Sequence, residues 1–117
     1  MELSASEIEN NIRQINLIGR LDIQGANKIE GTFKTATNGK NQAILVEMSQ
    51  VTFIASMGIR LLINRGKAIS GEAGKMVLLN PTSMVREALL AAGIDILIPI
   101  YNNLEDARTD LEESVSS

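Results

Sequence analysis

Four consecutive apolar residues, Ala43-Ile44-Leu45-Val46, constrain the fold more than any other stretch of this chain. In a strand, successive side chains point to opposite sheet faces, so such a run must be covered on both sides. That requires a sheet with helices packed against each face, and the flanking sequence carries the patterns to supply them.

Upstream, Ile8 and residues 12–19 bracket Asn10-Asn11, a pair suited to a hairpin turn because Asn tolerates positive φ. Ile15, Leu17 and, less regularly, Ile18 predict two short antiparallel strands. Asp22 stands where a helix N-cap belongs, before Ala26, Ile29, Phe33 and Ala36 at helical spacing; Thr37-Asn38-Gly39 closes that helix.

Downstream of the central run, residues 49–56 read mostly as a connecting loop. Residues 58–69 read as a second helix, burying Ile59, Leu62, Ile63, Gly66 and Ile69 and exposing Arg60, Asn64 and Lys67. The Gly71-Glu72-Ala73-Gly74 turn lacks the Lys-Ser/Thr that follows a phosphate loop. Residues 76–79 form the next strand, and Asn80-Pro81 pairs a capping residue with a proline suited to a first helical turn. Met84, Val85, Ala88, Leu89 and Ala92 carry that helix to Gly93, a candidate left-handed cap. Residues 96–101 read as a short strand that Pro99 confines to the sheet edge. Asn103 caps a last helix with Glu105 and Asp106 in its first turn. Residues 1–113 are thus expected to form one α/β domain: a mixed, mostly parallel sheet of four to five strands with about four helices. Residues 114–117 are expected to be a frayed tail.

The residues that are missing narrow the chemistry. The chain has no histidine and no cysteine, so a Ser-His-Asp triad, a histidine base and ordinary zinc ligation are not available to it, and no disulfide supports the core. The net charge is −3 with three aromatics, which argues against a nucleic-acid surface. The charge is uneven: from Asn102 onward five acids and one base leave a net of −4, and the remainder is close to neutral. The first eleven residues carry acids and no basic region before an apolar run, unlike a secretory signal, and the longest apolar stretches fall well short of the ~20 residues that span a bilayer. A cytoplasmic protein that does not insert into membranes is expected. Ser56-Met57-Gly58 matches half of a nucleophile elbow, but Ile54 occupies the position of the first glycine, and neither Lys67 nor Lys75 is spaced to act as a base. No catalytic, metal or cofactor site is expected.

The stretch from Ile44 to Ile59 resembles the signature of STAS domains, the family of bacterial anti-sigma-factor antagonists and of the cytoplasmic tails of sulphate transporters. In that family a buried strand ends in an acid-apolar-Ser sequence, followed by a loop of roughly apolar-Asp-Ser-Ser/Ala-Gly and a helix. Glu47-Met48-Ser49 resembles the first part, with Glu for the usual Asp, and Ile54-Ala55-Ser56-Met57-Gly58 the second. Gly19-Arg20-Leu21-Asp22 with Ala26, Ala91-Ala92-Gly93-Ile94-Asp95 and Leu104-Glu105-Asp106-Ala107 resemble further landmarks in the family's order. Two residues depart from the pattern: Ala55 replaces the Asp before the serine, and Met57 replaces a small residue.

The resemblance implies a STAS-like fold and a protein-binding switch. Unphosphorylated, the chain would bind an anti-sigma factor with serine-kinase activity. Phosphorylation at Ser56 would release it, a serine phosphatase would reset it, and any ATP would be bound by the kinase. The partner surface would comprise Asp22, Ala55, Ser56, Met57, Gly58 and Arg60. From the residues alone, Ser56 also reads as the N-cap of the second helix, and Asp22 as a cap before it is a contact. Met48, Met57, Met76 and Met84 read as core or rim fillers, with Met57 placed to offer an adaptable contact. The alternative is a constitutive STAS scaffold or accessory subunit of a signalling or lipid-transport complex, without phosphorylation.

Overall fold

A computed structural model describes residues 1–8 and 11–115. The elements follow in the order β1 (Glu2–Ile8), β2 (Ile12–Leu21), α1 (Ile23–Ala36), β3 (Ala43–Ile54), α2 (Ser56–Gly71), β4 (Lys75–Leu79), α3 (Ser83–Ala91), a 3-10 turn (Ile94–Ile96), β5 (Ile100–Tyr101) and α4 (Leu104–Val115). The five strands lie in chain order in one sheet; β1 pairs antiparallel with β2, and every later pair is parallel. This is the expected mixed, mostly parallel α/β sheet with four helices. The hairpin pair Asn10-Asn11 falls partly outside the described residues; Asn11 itself has a φ of 63°.

β3 is central, and Ile44, Leu45 and Val46 are all fully buried. Ile44 and Val46 join the core formed with α1, α2 and α3, including Phe33, Leu62 and Leu89. Leu45 faces the other way, onto a smaller core with Ile12, Val77, Ala107 and Leu111, where α4 packs. Each such fully buried Leu or Ile contributes roughly 1.5–3 kcal/mol.

Several local expectations are corrected. β3 does not give way to a loop at Ser49; it continues to Ile54, because β2 runs on to Leu21 and offers parallel partners at Gln50, Val51, Phe53 and Ile54. α2 begins at Ser56, not Gly58, and its buried residues include Leu61, with Ile59 and Ile63 only partly buried. The cap of α3 is Thr82, whose side chain accepts from the Val85 N–H, so Asn80-Pro81 is a lead-in, with Asn80 at a φ of 55°. Gly93 adopts the expected left-handed conformation, with a φ of 73°. Ile96 lies in the 3-10 turn and only Ile100 and Tyr101 form the edge strand. Met84 is 63% exposed and fills no core. Ser114 belongs to α4, whereas Ser116 and Ser117 lie outside the described residues.

Side chains finish the helix ends. Thr37 Oγ1 donates to the Phe33 carbonyl at 2.7 Å and accepts from Arg65 Nη2 at 2.9 Å, tying the end of α1 to α2. Asn103 Oδ1 accepts from the Asp106 N–H at 2.9 Å and starts α4 as expected. α4 is fastened through Asp110, which accepts from Lys75 Nζ at 2.6 Å, from Ser114 Oγ at 2.9 Å and from the Tyr101 hydroxyl. Burial works against the Asp110 charge, yet these donors hold its carboxyl below the usual range. Among the described residues, no helix is long and apolar enough to cross a membrane.

Candidate functional site

Two helices start side by side at one end of the sheet. β2 and β3 run parallel and finish together, with Leu21 paired to Ile54. The chain turns into α1 at Asp22 and into α2 at Ala55, and the Ala55 N–H donates to the Leu21 carbonyl at 3.0 Å. Glycine makes the fit possible in both first turns. A Cβ on Gly25 would stand 2.2 Å from the Arg20 carbonyl oxygen, and one on Gly58 would stand 2.5 Å from that of Leu21. Both helices therefore press directly onto the end of β2.

Their caps differ. Asp22 Oδ1 accepts from the Gly25 N–H at 2.8 Å and caps α1. That bond, and then Arg20, with Nε 3.5 Å from Asp22 Oδ2, hold the Asp22 carboxyl below the usual range. Arg20 also lies over the Phe53 ring, 4.3 Å from its centroid, a cation–π contact across the β2–β3 pair. In α2 the cap position is Ala55, extended at φ −112°, ψ 173°, with no side chain able to accept. The reading of Ser56 as the N-cap is thus corrected: Ser56 is the first helical residue. It is exposed, and among the described residues its hydroxyl has no hydrogen-bond partner. A first-turn residue sits where backbone N–H groups lack intrahelical acceptors and the helix dipole favours negative charge.

Asp22, Ala55, Ser56, Met57 and Arg60 are brought to this end, Ala55 and Met57 half-buried, Ser56 and Arg60 exposed. Gly58 is buried beneath them and positions the helix from below. Between the helices runs a crevice of about 40 Å³, lined by Ala26, Asn27 and Glu30 on α1 and Met57, Arg60 and Asn64 on α2. Asn27, Glu30 and the Arg20–Phe53 contact were not singled out from sequence. Neither was Ile23, the first residue of α1, which is 57% exposed. By spacing it stands three residues before Ala26, on the edge of the buried stripe, so nothing in the pattern marks it as exposed. A larger hollow of about 570 Å³ runs elsewhere, along Leu104, Glu105, Arg108, Thr109 and Glu112. It is lined by one helix and shares no residue with this site. Among the described residues, no group of three or more Asp or Glu is placed to hold a metal ion.

Comparison with known proteins gives this geometry a context. The sequence model of the STAS domain matches residues 4–107. An anti-sigma F factor antagonist of Paenibacillus polymyxa is 25% identical over 99 residues, covering 84% of this chain and 85% of that one. An anti-sigma-factor antagonist STAS domain protein of Planctomyces limnophilus superposes with a TM-score of 0.83 at 24% identity, covering 93% of this chain and 97% of that one. The anti-sigma factor antagonist SpoIIAA in its unphosphorylated form superposes with a TM-score of 0.76 at 22% identity, covering 96% and 97%. SpoIIAA, from Bacillus, has also been solved phosphorylated.

Proposed function

The chain belongs to the STAS domain family, and on that premise we propose that it is a cytoplasmic, non-catalytic regulator of the anti-sigma-factor-antagonist type, switched at Ser56. Unphosphorylated, it binds an anti-sigma factor with serine-kinase activity through the paired starts of α1 and α2. The bound factor is then unable to hold its sigma factor. The kinase transfers the γ-phosphoryl group of ATP to the Ser56 hydroxyl oxygen, the antagonist is released, and a serine phosphatase restores it.

The observation that carries this reading is the placement of Ser56: exposed, unbonded, and in the first turn of α2 beside Asp22 and Met57. A phosphate there adds about −1.5 to −2 charges and three acceptor oxygens. The folded chain tolerates it, because the group meets the positive end of a helix and water. A partner pressed onto the same turn would have to desolvate it, which costs a few kcal/mol. The switch therefore acts on the complex and leaves the fold unchanged. The existence of a phosphorylated SpoIIAA structure supports the same chemistry on this scaffold.

The test is incubation of the protein with ATP and the anti-sigma-factor serine kinase encoded nearest to it in its genome, followed by site mapping by mass spectrometry. Phosphate at Ser56, accompanied by release from the kinase, is expected. Labelling at another Ser or Thr only, or an active kinase that leaves the protein unlabelled, would favour a constitutive scaffold.

A further inference from the structure

Arg60 is an exposed cation one helical turn beyond Ser56. We infer that it is the counter-ion of a phosphate carried on Ser56, so that the modified chain folds the new charge onto its own helix; this rests on the reading of Ser56 given above.

Ser56 is the first residue of α2 and Arg60 stands four residues on, so the two share one face of the helix, with Cβ atoms about 5–6 Å apart. Side chains on a helix lean toward its N-terminus, which carries the Arg60 guanidinium back over the first turn, where Ser56 lies. An acid placed N-terminal to a base at this spacing is also the favourable order. A guanidinium presents parallel N–H groups that match phosphate oxygens, a fit that a lysine ammonium does not reproduce.

The other charges at this corner are already engaged or weaker. Arg20 is the second cation nearby, but its Nε lies 3.5 Å from Asp22 Oδ2 and its guanidinium lies over the Phe53 ring. Asp22 is held in turn by Arg20 and by the Gly25 N–H at 2.8 Å. Glu30 lines the crevice together with Arg60, yet among the described residues Arg60 is in no ion pair. A phosphate on Ser56, with about −1.5 to −2 charges, would outcompete the single charge of Glu30 for it. The pairing also withdraws Arg60 from the surface offered to a partner. Phosphorylation then alters that surface twice: a negative group appears and a positive one is neutralised.

The experiment titrates the phosphate by phosphorus NMR in the full chain, with phosphoserine incorporated at position 56 during translation so that the measurement needs no kinase. Wild type is compared with Arg60→Gln, Arg60→Lys and Lys67→Gln. Lys67 is exposed on the same helix three turns beyond Ser56, about 16 Å along the axis and past the reach of screened charge. The second pKa of an unpaired phosphoserine is about 6. Wild type is expected to titrate below that, Arg60→Gln about 0.5 or more higher than wild type, Arg60→Lys between the two, and Lys67→Gln with wild type. A pKa unmoved by Arg60→Gln, or moved as far by Lys67→Gln, would overturn the pairing while leaving the switch at Ser56 standing. Failure of an active kinase to label Ser56 would overturn both.

Discussion

The Ala55 backbone N–H donates to the Leu21 carbonyl at 3.0 Å, one residue beyond the last paired positions of β2 and β3. This bond makes the start of α2 an extension of the sheet and fixes Ser56 relative to Asp22. Ser56 is therefore carried on a corner between two helices, where the proposed phosphorylation would change the surface with little backbone movement.

Gly58 keeps that corner closed. A Cβ there would meet the Leu21 carbonyl oxygen at 2.5 Å and Leu21 Cγ at 2.6 Å, in a place where backbone would have to shift. Gly58→Ala is expected to destabilise by about 1–3 kcal/mol, despite the better helix propensity of alanine. Gly31, exposed in α1 with nothing within 4 Å of an added Cβ, is the control. Gly31→Ala should stabilise by about 0.5–1 kcal/mol. Denaturant melts of the two variants check the contrast in sign.

Much of this corner was legible in the sequence, for reasons tied to particular residues. Asp22 announced α1 because a capping carboxylate followed by Ala26, Ile29 and Phe33 admits few other readings. The second half of β3 was not legible: Ser49, Gln50 and Thr52 look like loop residues, and only the partner strand β2 makes a strand of them. Asn27 and Glu30, which line the crevice against α2, escaped because core patterns identify only what a helix buries.

The fastening of α4 can be read by titration, because Tyr101 is the only tyrosine. Its hydrogen bond to Asp110, helped by burial, raises its pKa to about 12. The folded state favours the neutral hydroxyl, so this stabilisation is full below the ordinary tyrosine pKa of about 10 and is lost as pH climbs through about 12. The depressed Asp110 behaves oppositely: its contribution is present above the ordinary carboxylate range and is lost as acid protonates it. Tyrosinate absorbance should give a midpoint near 12 in the wild type and one lowered toward 10 in Asp110→Asn. The same variant should lose about 1–2 kcal/mol at neutral pH.

Because Ser56 is a first-turn residue and not the cap, its removal costs the fold little. Ser56→Ala should change stability by less than about 0.5 kcal/mol and still bind the anti-sigma factor. Ser56→Asp places a carboxylate where the helix dipole welcomes it, so stability should hold within about 1 kcal/mol. Its affinity for the partner should fall by about a hundredfold, from desolvation of the charge in the contact. Thermal melts and binding isotherms of the three proteins decide the matter. Equal affinity of the Ser and Asp forms would count against release by charge.

The last expectation concerns the uncapped helix. α1, α3 and α4 start with an oxygen-bearing side chain, from Asp22, Thr82 and Asn103, accepting a backbone N–H of the first turn. α2 starts with Ala55 in the same extended conformation, and its third helical residue is Gly58, just as that of α1 is Gly25. Ala55→Asp should therefore reproduce the Asp22–Gly25 bond at Gly58 and stabilise the protein by about 0.5–2 kcal/mol. The same change restores the Asp that stands before the serine in the STAS pattern, so affinity for the partner should stay within about threefold while the melting temperature rises. A variant that melts higher but loses the partner would show that Ala55 is fitted to that partner. One that gains no stability would show that α2 does not start at Ser56.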